Sequence, residues 1–277
     1  MDEVGLIIKY IEENGFLRFD TVGGIEPEVL AGKRVFIGDQ MIPALVGIKA
    51  IHQQKAGERT KAVQVDRLYL DIGAKSAEEA QKVVAPGDRV VFAHNYAEFG
   101  DGLVRAKALD NRVGCAILLE LLRQEAAYDF DAAFTVQEET GCIGGKTAAF
   151  AVQPDIALVL ETTTAADLPE NSGAKAVCRL GQGAALSFMD RGTVYDSGLY
   201  RLALRLAAEK GIPVQSKSLV SGGNESRSVQ TAGAGARTLA VSVPCRYLHT
   251  QAVVMAQKDA ESMLELVRDL TDASAVL

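Results

Sequence analysis

The stretch Arg105-Ala-Lys-Ala-Leu-Asp-Asn-Arg112 decides the fold class, because it joins a short strand to a helix predicted for residues 111–123. After this stretch, predicted strands alternate with predicted helices. The strands are expected at 131–137, where the segment should be buried, at 156–160 and at 237–243, and the helices at 196–210 and 259–270. Such alternation predicts an α/β domain in which helices flank a largely parallel or mixed sheet.

The chain before this stretch has a different character, with many short strands and one helix. Glu13-Asn14-Gly15 is a hairpin turn signal between two apolar runs. Ser76 followed by Glu79 has the form of a capping box, which predicts one short helix. Short strands with a single helix predict a small β-barrel or sandwich. We therefore expect a β-rich region from residue 2 to about 95, and the character of the chain changes near 96–102.

The composition argues against several classes of function. The 277 residues carry a net charge of −7 with an isoelectric point of about 5.2, so neither nucleic acid nor an anionic membrane is expected as a partner. No apolar run approaches the roughly 20 residues that span a bilayer. Met1 is followed by two acids, and the four cysteines form no Cys-X-X-Cys pair. These features predict no signal peptide, reduced thiols and a cytoplasmic location.

Acidic residues and one histidine follow several of the predicted strands. They are Asp110 after 104–109, the pair Glu138-Glu139 after 134–137, Glu161 after 158–160 and His249 after 243–248. Ligands of α/β proteins collect at the carboxyl ends of strands. A single carboxylate there is often a helix cap, which stays open as the alternative for each acid taken alone. Acids after three strands, together with one of only three histidines, favour a metal site.

A two-metal hydrolase uses these residue types. Two divalent ions need one carboxylate that bridges them, and each ion needs further carboxylate or imidazole ligands. A water molecule between the ions becomes the nucleophile, and a carboxylate that is not a ligand takes its proton. Because neighbouring side chains on an extended segment point apart, Glu138 and Glu139 can divide ligation and proton transfer between them.

Six blocks of sequence resemble the signature motifs of one family. They are Met1-Asp-Glu-Val-Gly5, Leu70-Asp-Ile-Gly-Ala-Lys-Ser76, Ala108-Leu-Asp-Asn-Arg112, Gln137-Glu-Glu-Thr-Gly141, Leu160-Glu-Thr162 and Arg246-Tyr-Leu-His-Thr250. In this order they cover essentially the whole chain, which resembles the M42 metalloaminopeptidases. That family comprises glutamyl and tetrahedral (TET) aminopeptidases, and some of its members are labelled endoglucanases. The resemblance implies a two-metal-dependent aminopeptidase that hydrolyses N-terminal residues from short peptides.

The resemblance also implies a role for each candidate residue. Asp110 would bridge two divalent ions, which in this family are Zn²⁺, Co²⁺ or Mn²⁺. Glu139 and His249 would complete one metal site. Glu161 would serve the other metal site, and Glu138 would be the general base.

Asp2 would orient a metal-binding histidine of the family motif, and this sequence has no residue at that histidine's position. The second metal site would then keep only Asp110 and Glu161. Two hard oxygen ligands are a weak set for Zn²⁺. We therefore expect at most one tightly bound metal, and impaired activity, for this chain.

The family's architecture gives the expected fold and assembly. Residues 1–98 would form a small β-barrel-like dimerisation domain, except that the first few residues would belong to the catalytic domain. The zinc-exopeptidase-like catalytic domain, into which the barrel is inserted, would comprise residues 99–277. Members of the family often assemble as dimers and as dodecameric cages. A homo-oligomer that acts on peptide substrates is therefore expected.

One motif departs from the family pattern and leaves two alternatives open. Gly222-Gly-Asn-Glu-Ser226 stands where Gly-Gly-Thr-Asp-Ala is usual, in a loop close to the family's active site. This change favours a noncatalytic assembly or regulatory subunit on a peptidase scaffold, whereas the intact Glu138-Glu139 pair argues against one. An endoglucanase-like glycoside hydrolase with paired acids is a weaker alternative, and its activity would survive a chelator.

Overall fold

A computed structural model describes residues 3–55, 57, 60–169, 171 and 173–275 of the chain. The chain folds as two compact units. The first comprises Val4–Asn95 and His249–Gln251, and the second comprises the rest of the chain. In the part of the chain that the structure describes, we find no helix with the length and apolarity needed to cross a membrane.

The first unit is a closed barrel of six antiparallel strands. In chain order they are β1 (Gly5–Ile11), β2 (Leu17–Val22), β3 (Arg34–Ile37), β4 (Ile42–Ile48), β5 (Leu68–Asp71) and β6 (Arg89–Phe92). Around the barrel they run β1-β2-β5-β4-β3-β6, and pairing of β6 with β1 closes the sheet. Closure removes the unpaired strand edges that an open sheet would expose. The barrel encloses its own apolar core, which includes Leu17, Leu68 and Leu70.

Local sequence signals account for two features of the barrel unit. Gly15 has a φ of +86° in the turn between β1 and β2, and a Cβ at this position would lie 2.6 Å from the Ala74 carbonyl oxygen. The predicted short helix is present as α1 (Ala77–Ala80). The Ser76 hydroxyl accepts a hydrogen bond from the amide of Glu79 at 3.3 Å, as its capping position predicts.

The second unit combines strands and helices as the alternating pattern predicts. Its strands are β7 (Ala97–Phe99), β8 (Leu103–Ala106), β9 (Ile156–Thr164), β10 (Ala184–Leu186), β11 (Val214–Ser216), β12 (Arg237–Arg246) and β13 (Val253–Ala256). Its helices are α2 (Leu109–Leu122), α3 (Ile143–Val152), α4 (Ser197–Lys210), α5 (Ser226–Val229) and α6 (Gln257–Ser274).

The sheet of the second unit is mixed, which confirms the predicted fold class. Its order is β11-β10-β12-β13-β8-β7, with β9 paired to β12. The β9–β12 and β10–β11 pairs are parallel, and the other pairs are antiparallel. β12 is buried on both faces, and its apolar side chains pack in one core with those of the flanking helices, including Leu199 of α4 and Leu266 of α6.

One predicted element is wrong. Residues 131–137 form no strand, and the side chains of Phe134 and Val136 are 43% and 52% exposed. Apolar side chains two positions apart, as at Phe134 and Val136, match the period of a strand. A strand also needs a neighbouring strand with which to form hydrogen bonds. Among the described residues β9 pairs only with β12. A cavity of about 1280 Å³ is lined both by residues of the 129–135 segment and by β9.

Candidate active site

Four of the five candidate residues lie at the ends of elements or in the turns between them. Asp110 is at the start of α2, just after β8. Glu138 and Glu139 lie in the turn that leads into α3, and His249 lies in the connection between β12 and β13. These four positions are typical of ligand-binding side chains in α/β proteins. The prediction that Glu161 follows a strand is wrong, because β9 continues to Thr164 and Glu161 lies within it.

Three of the candidates contribute to one group of potential metal ligands. One carboxylate oxygen from Asp110, one from Glu139 and one ring nitrogen of His249 all lie within 4.8 Å of one another. All three residues are half-buried. Two carboxylates with one imidazole form a donor set that suits Zn²⁺ and Co²⁺. The residues present therefore fit the cation that the sequence analysis expected at these three positions.

A hydrogen bond fixes the tautomer of His249. Its Nδ1 lies 3.0 Å from the carbonyl oxygen of Gly24. A carbonyl only accepts hydrogen bonds, so Nδ1 carries the proton and Nε2 is the nitrogen that can bind a cation. Metal-binding histidines commonly use their second nitrogen in this way, which orients the ring. Gly24 suits this contact, because a Cβ there would lie 3.2 Å from Nδ1.

Left-handed backbone conformations cluster beside the candidate residues. In the described chain, five of the seven non-glycine residues with positive φ flank or include a candidate: Ala108, Gln137, Cys142, Tyr247 and His249. Such conformations are unfavourable for residues with a Cβ, and they are retained where the surrounding structure demands a particular direction of a side chain. The peptide bond between Asp110 and Asn111 is cis.

Glu138 has a different environment from its neighbour Glu139. The thiol of Cys142 donates to the Glu138 carboxylate at 3.5 Å. Burial, followed by the negative charge of Glu138, raises the pKa of the Cys142 thiol to about 12. The thiol therefore keeps its proton at neutral pH and can act as a donor. Sequence analysis did not identify this contact.

Glu161 is a buried carboxyl group within an acidic surrounding. It is 8% exposed, and the side-chain amide of Asn111 donates to it at 3.0 Å. Burial raises the pKa of Glu161 well above its usual range, and the negative charges of Asp110 and Glu138 add to this effect. A nearby cation would act in the opposite direction and favour the ionised form.

Sequence analysis missed the contacts of Glu225, which it noted only as part of an unusual loop. The Glu225 carboxylate accepts hydrogen bonds from the Thr135 hydroxyl at 2.6 Å and from the Gly145 amide at 2.9 Å. Its partners lie 90 and 80 positions away along the chain, so no local pattern could have revealed them. Asp2, the expected orienting residue, lies outside the described residues, and its role stays a prediction.

Comparisons with known proteins identify similar chains. The sequence model of the M42 glutamyl aminopeptidase family matches residues 1–266. A protein of Acetivibrio thermocellus, provisionally named an aminopeptidase, is 34% identical over 269 residues, which are 96% of this chain and 79% of that protein.

Two solved structures are similar over nearly the whole chain. The TET aminopeptidase from the marine sediment archaeon Thaumarchaeota archaeon SCGC AB-539-E09 has a TM-score of 0.94 and 32% identity, covering 98% of this chain and 78% of its own. The Pyrococcus horikoshii TET1 peptidase has a TM-score of 0.84 and 29% identity, and the match covers 98% of this chain and 81% of that peptidase. That peptidase can assemble into a tetrahedron or a large octahedral shell.

Proposed function

Since this chain belongs to the M42 glutamyl aminopeptidase family and is thus an aminopeptidase, we propose that it removes N-terminal residues from short peptides with the help of a bound divalent cation. The observation that most directly supports the cation is the ligand group of Asp110, Glu139 and His249. The preorganised His249 tautomer supports it further, because Nδ1 is already engaged and Nε2 is the metal-binding nitrogen.

The proposed mechanism divides the work between the two adjacent glutamates. Asp110, Glu139 and His249 would hold a divalent cation, which would supply polarisation of the scissile carbonyl and a lowered pKa of the attacking water. Glu138 accepts the proton of that water and passes it to the departing amine. The Cys142 thiol holds the Glu138 carboxylate by a hydrogen bond, so that the base is oriented before the substrate arrives.

We place Glu161 with Asp110 as the ligands of a second, weaker cation. The raised pKa of Glu161 weakens cation binding there, because a cation must displace the proton that burial favours. The cation at Asp110, Glu139 and His249 is therefore proposed to bind more tightly than one at Asp110 and Glu161.

The proposed working form is a homo-oligomer in the cytoplasm. The assembly of the Pyrococcus horikoshii peptidase supports an oligomer of this related chain. The barrel unit is proposed as the dimerisation domain. Cys142, Cys178 and Cys245 are buried free thiols, which suits a reducing compartment.

The test is hydrolysis of a short peptide or an aminoacyl anilide with Zn²⁺, Co²⁺ or a chelator. The proposal expects hydrolysis that requires the cation and ceases with the chelator. Absence of cation-dependent hydrolysis would contradict it and would favour a noncatalytic subunit. Cleavage of a β-glucan that survives the chelator would instead support the glycoside hydrolase alternative, which no feature of the site favours.

A further inference from the structure

Glu225 is a buried carboxylate that the proposed mechanism does not use. It is 9% exposed, and each of its oxygens accepts a hydrogen bond. Oε2 accepts from the Thr135 hydroxyl, and Oε1 accepts from the Gly145 amide. One carboxylate thus joins two points of the chain that are ten residues apart.

The segment between those two points carries both catalytic glutamates of the proposed mechanism. Within it, the Gly144 amide donates to Val136 at 3.0 Å, and the Ile143 amide donates to Gln137 at 3.1 Å. These bonds form a closed turn that presents Glu138 and Glu139. Glu225 binds the segment on both sides of this turn, outside its internal hydrogen bonds.

The packing around Glu225 leaves little freedom. A Cβ added to Gly145 would lie 2.8 Å from the Glu225 carboxylate carbon. The side chain of the preceding residue is itself anchored, because Asn224 Nδ2 donates to the Tyr195 hydroxyl at 3.0 Å and Asn224 Oδ1 accepts from the Ser226 backbone amide at 2.9 Å. The Glu225 side chain therefore links a fixed loop to the turn.

From this geometry we propose that Glu225 is a positioning residue, which sets the direction of Glu138 and Glu139 toward the cation and the substrate. This proposal rests on the proposed function. The carboxylate acts by accepting two hydrogen bonds rather than by its charge. A glutamine can keep both bonds, because its carbonyl accepts from Gly145 while its amide donates to the Thr135 hydroxyl.

The test compares Glu225→Ala with Glu225→Gln and with a matched control. Misplacement of a base by about 1 Å costs about 100-fold in rate. We expect Glu225→Ala to lower kcat by about this factor with KM little changed, and to weaken Co²⁺ binding measured by calorimetry. Glu225→Gln should restore both values to near wild type.

Asp259→Ala is the control for a purely structural role. The Asp259 carboxylate is also buried and accepts from two backbone amides, those of Gly181 at 2.6 Å and Gly183 at 2.7 Å. Its removal should lower the Tm while kcat and Co²⁺ affinity of the folded protein stay unchanged. Equal losses of kcat in Glu225→Ala and Asp259→Ala would overturn the positioning role.

The remaining outcomes separate this proposal from the proposed function. If the wild-type chain shows no cation-dependent hydrolysis, the proposed function fails. If the wild type is active and Glu225→Ala keeps its kcat and Co²⁺ affinity, only the positioning role fails. A folded Glu225→Gln variant as impaired as Glu225→Ala would overturn positioning in favour of a charge effect.

If Glu225→Ala does not fold, Gly145→Ala replaces it, because the added methyl group displaces the Glu225 carboxylate. A wild-type kcat in the Gly145→Ala variant would overturn the proposal.

Discussion

At the residue scale, the central feature is that two adjacent glutamates have different partners. Glu139 contributes an oxygen to the ligand group with Asp110 and His249. Glu138 instead receives the Cys142 thiol and lines the cavity beside β9. An adjacent pair with different contacts can supply a cation ligand and a general base from one turn.

We expect Glu138→Gln to impair turnover and Glu139→Gln to impair cation binding. Glu138→Gln should lower kcat by roughly 100-fold or more, because proton transfer by a positioned base contributes about that much, and it should leave cation binding intact. Glu139→Gln should weaken cation binding directly. Steady-state kinetics and calorimetry with Co²⁺ measure the two effects. Loss of the cation in Glu138→Gln alone would mean that the two roles are exchanged.

The motif residues could be predicted from the sequence, but their supporting contacts could not. Asp110, Glu139 and His249 each stand in a short block that resembles a family motif, and their ligand atoms lie together in the structure. The Glu225 contacts with Thr135 and Gly145 depend on how distant loops meet. The left-handed conformations at Gln137 and Cys142 likewise have no glycine or asparagine to signal them.

At the element scale, helix termini followed local rules, whereas strand pairing did not. The helices predicted at 196–210 and 259–270 are present as α4 and α6, and Gly211 ends α4 with a φ of +70°. A helix cap involves neighbouring residues only. A strand depends on a partner elsewhere in the chain, and for 131–137 the described residues provide none.

Hydrogen exchange tests whether residues 131–137 lack strand pairing. A backbone amide with no hydrogen-bond partner in a sheet becomes accessible to exchange at little free-energy cost. An amide in the middle of a sheet becomes accessible only when a larger part of the domain unfolds. We expect residues 132–136 to exchange rapidly and residues 239–243 of β12 to exchange slowly, as measured by mass spectrometry of peptic fragments. Equal protection of both segments would show that 131–137 forms a paired strand in solution.

The N-terminus of α4 provides a prediction about stability. The Asp196 carboxylate accepts from the Leu199 amide at 2.8 Å and pairs with Arg237 at 3.1 Å. We expect Asp196→Ala to lower the free energy of unfolding by about 1 kcal/mol at pH 7, in urea titrations. Glu209→Ala, which removes an exposed side chain of the same helix, should cause little change.

The stability difference caused by Asp196→Ala should depend on pH. The hydrogen bond from Arg237 holds the pKa of Asp196 below its usual value of 3.8. A carboxyl group with a lowered pKa in the folded state contributes stability above its unfolded pKa, and this contribution is lost as the pH falls through the folded pKa. The difference in free energy of unfolding between the wild type and Asp196→Ala should therefore become smaller below pH 3.8. A difference that widens with acidification would contradict this assignment.

At the scale of the whole molecule, two units with separate cores make up the chain. The barrel closes on itself around one apolar core, and the mixed sheet with its helices encloses another. Short strands with a hairpin signal were sufficient to predict the first unit as a barrel or sandwich. The closed strand order β1-β2-β5-β4-β3-β6 depends on long-range pairing, which local sequence does not specify.

The assembly state is a prediction about the whole molecule. We expect light scattering after size exclusion to give a mass at least twice the 29.5 kDa of one chain. Dilution should leave that mass unchanged if the interface is apolar and extensive, as it is in obligate oligomers. A mass equal to one chain at all concentrations would contradict the proposed homo-oligomer.

The most direct test of the account is the number of cations bound per chain. After exposure to excess Zn²⁺ or Co²⁺ and desalting, elemental analysis of the wild type should find a tightly bound cation. His249→Ala should lose it, while His94→Ala, which changes a histidine outside the ligand group, should retain it. A wild-type chain without a bound cation, or a His249→Ala variant that still holds it, would contradict the assignment of the metal centre to Asp110, Glu139 and His249.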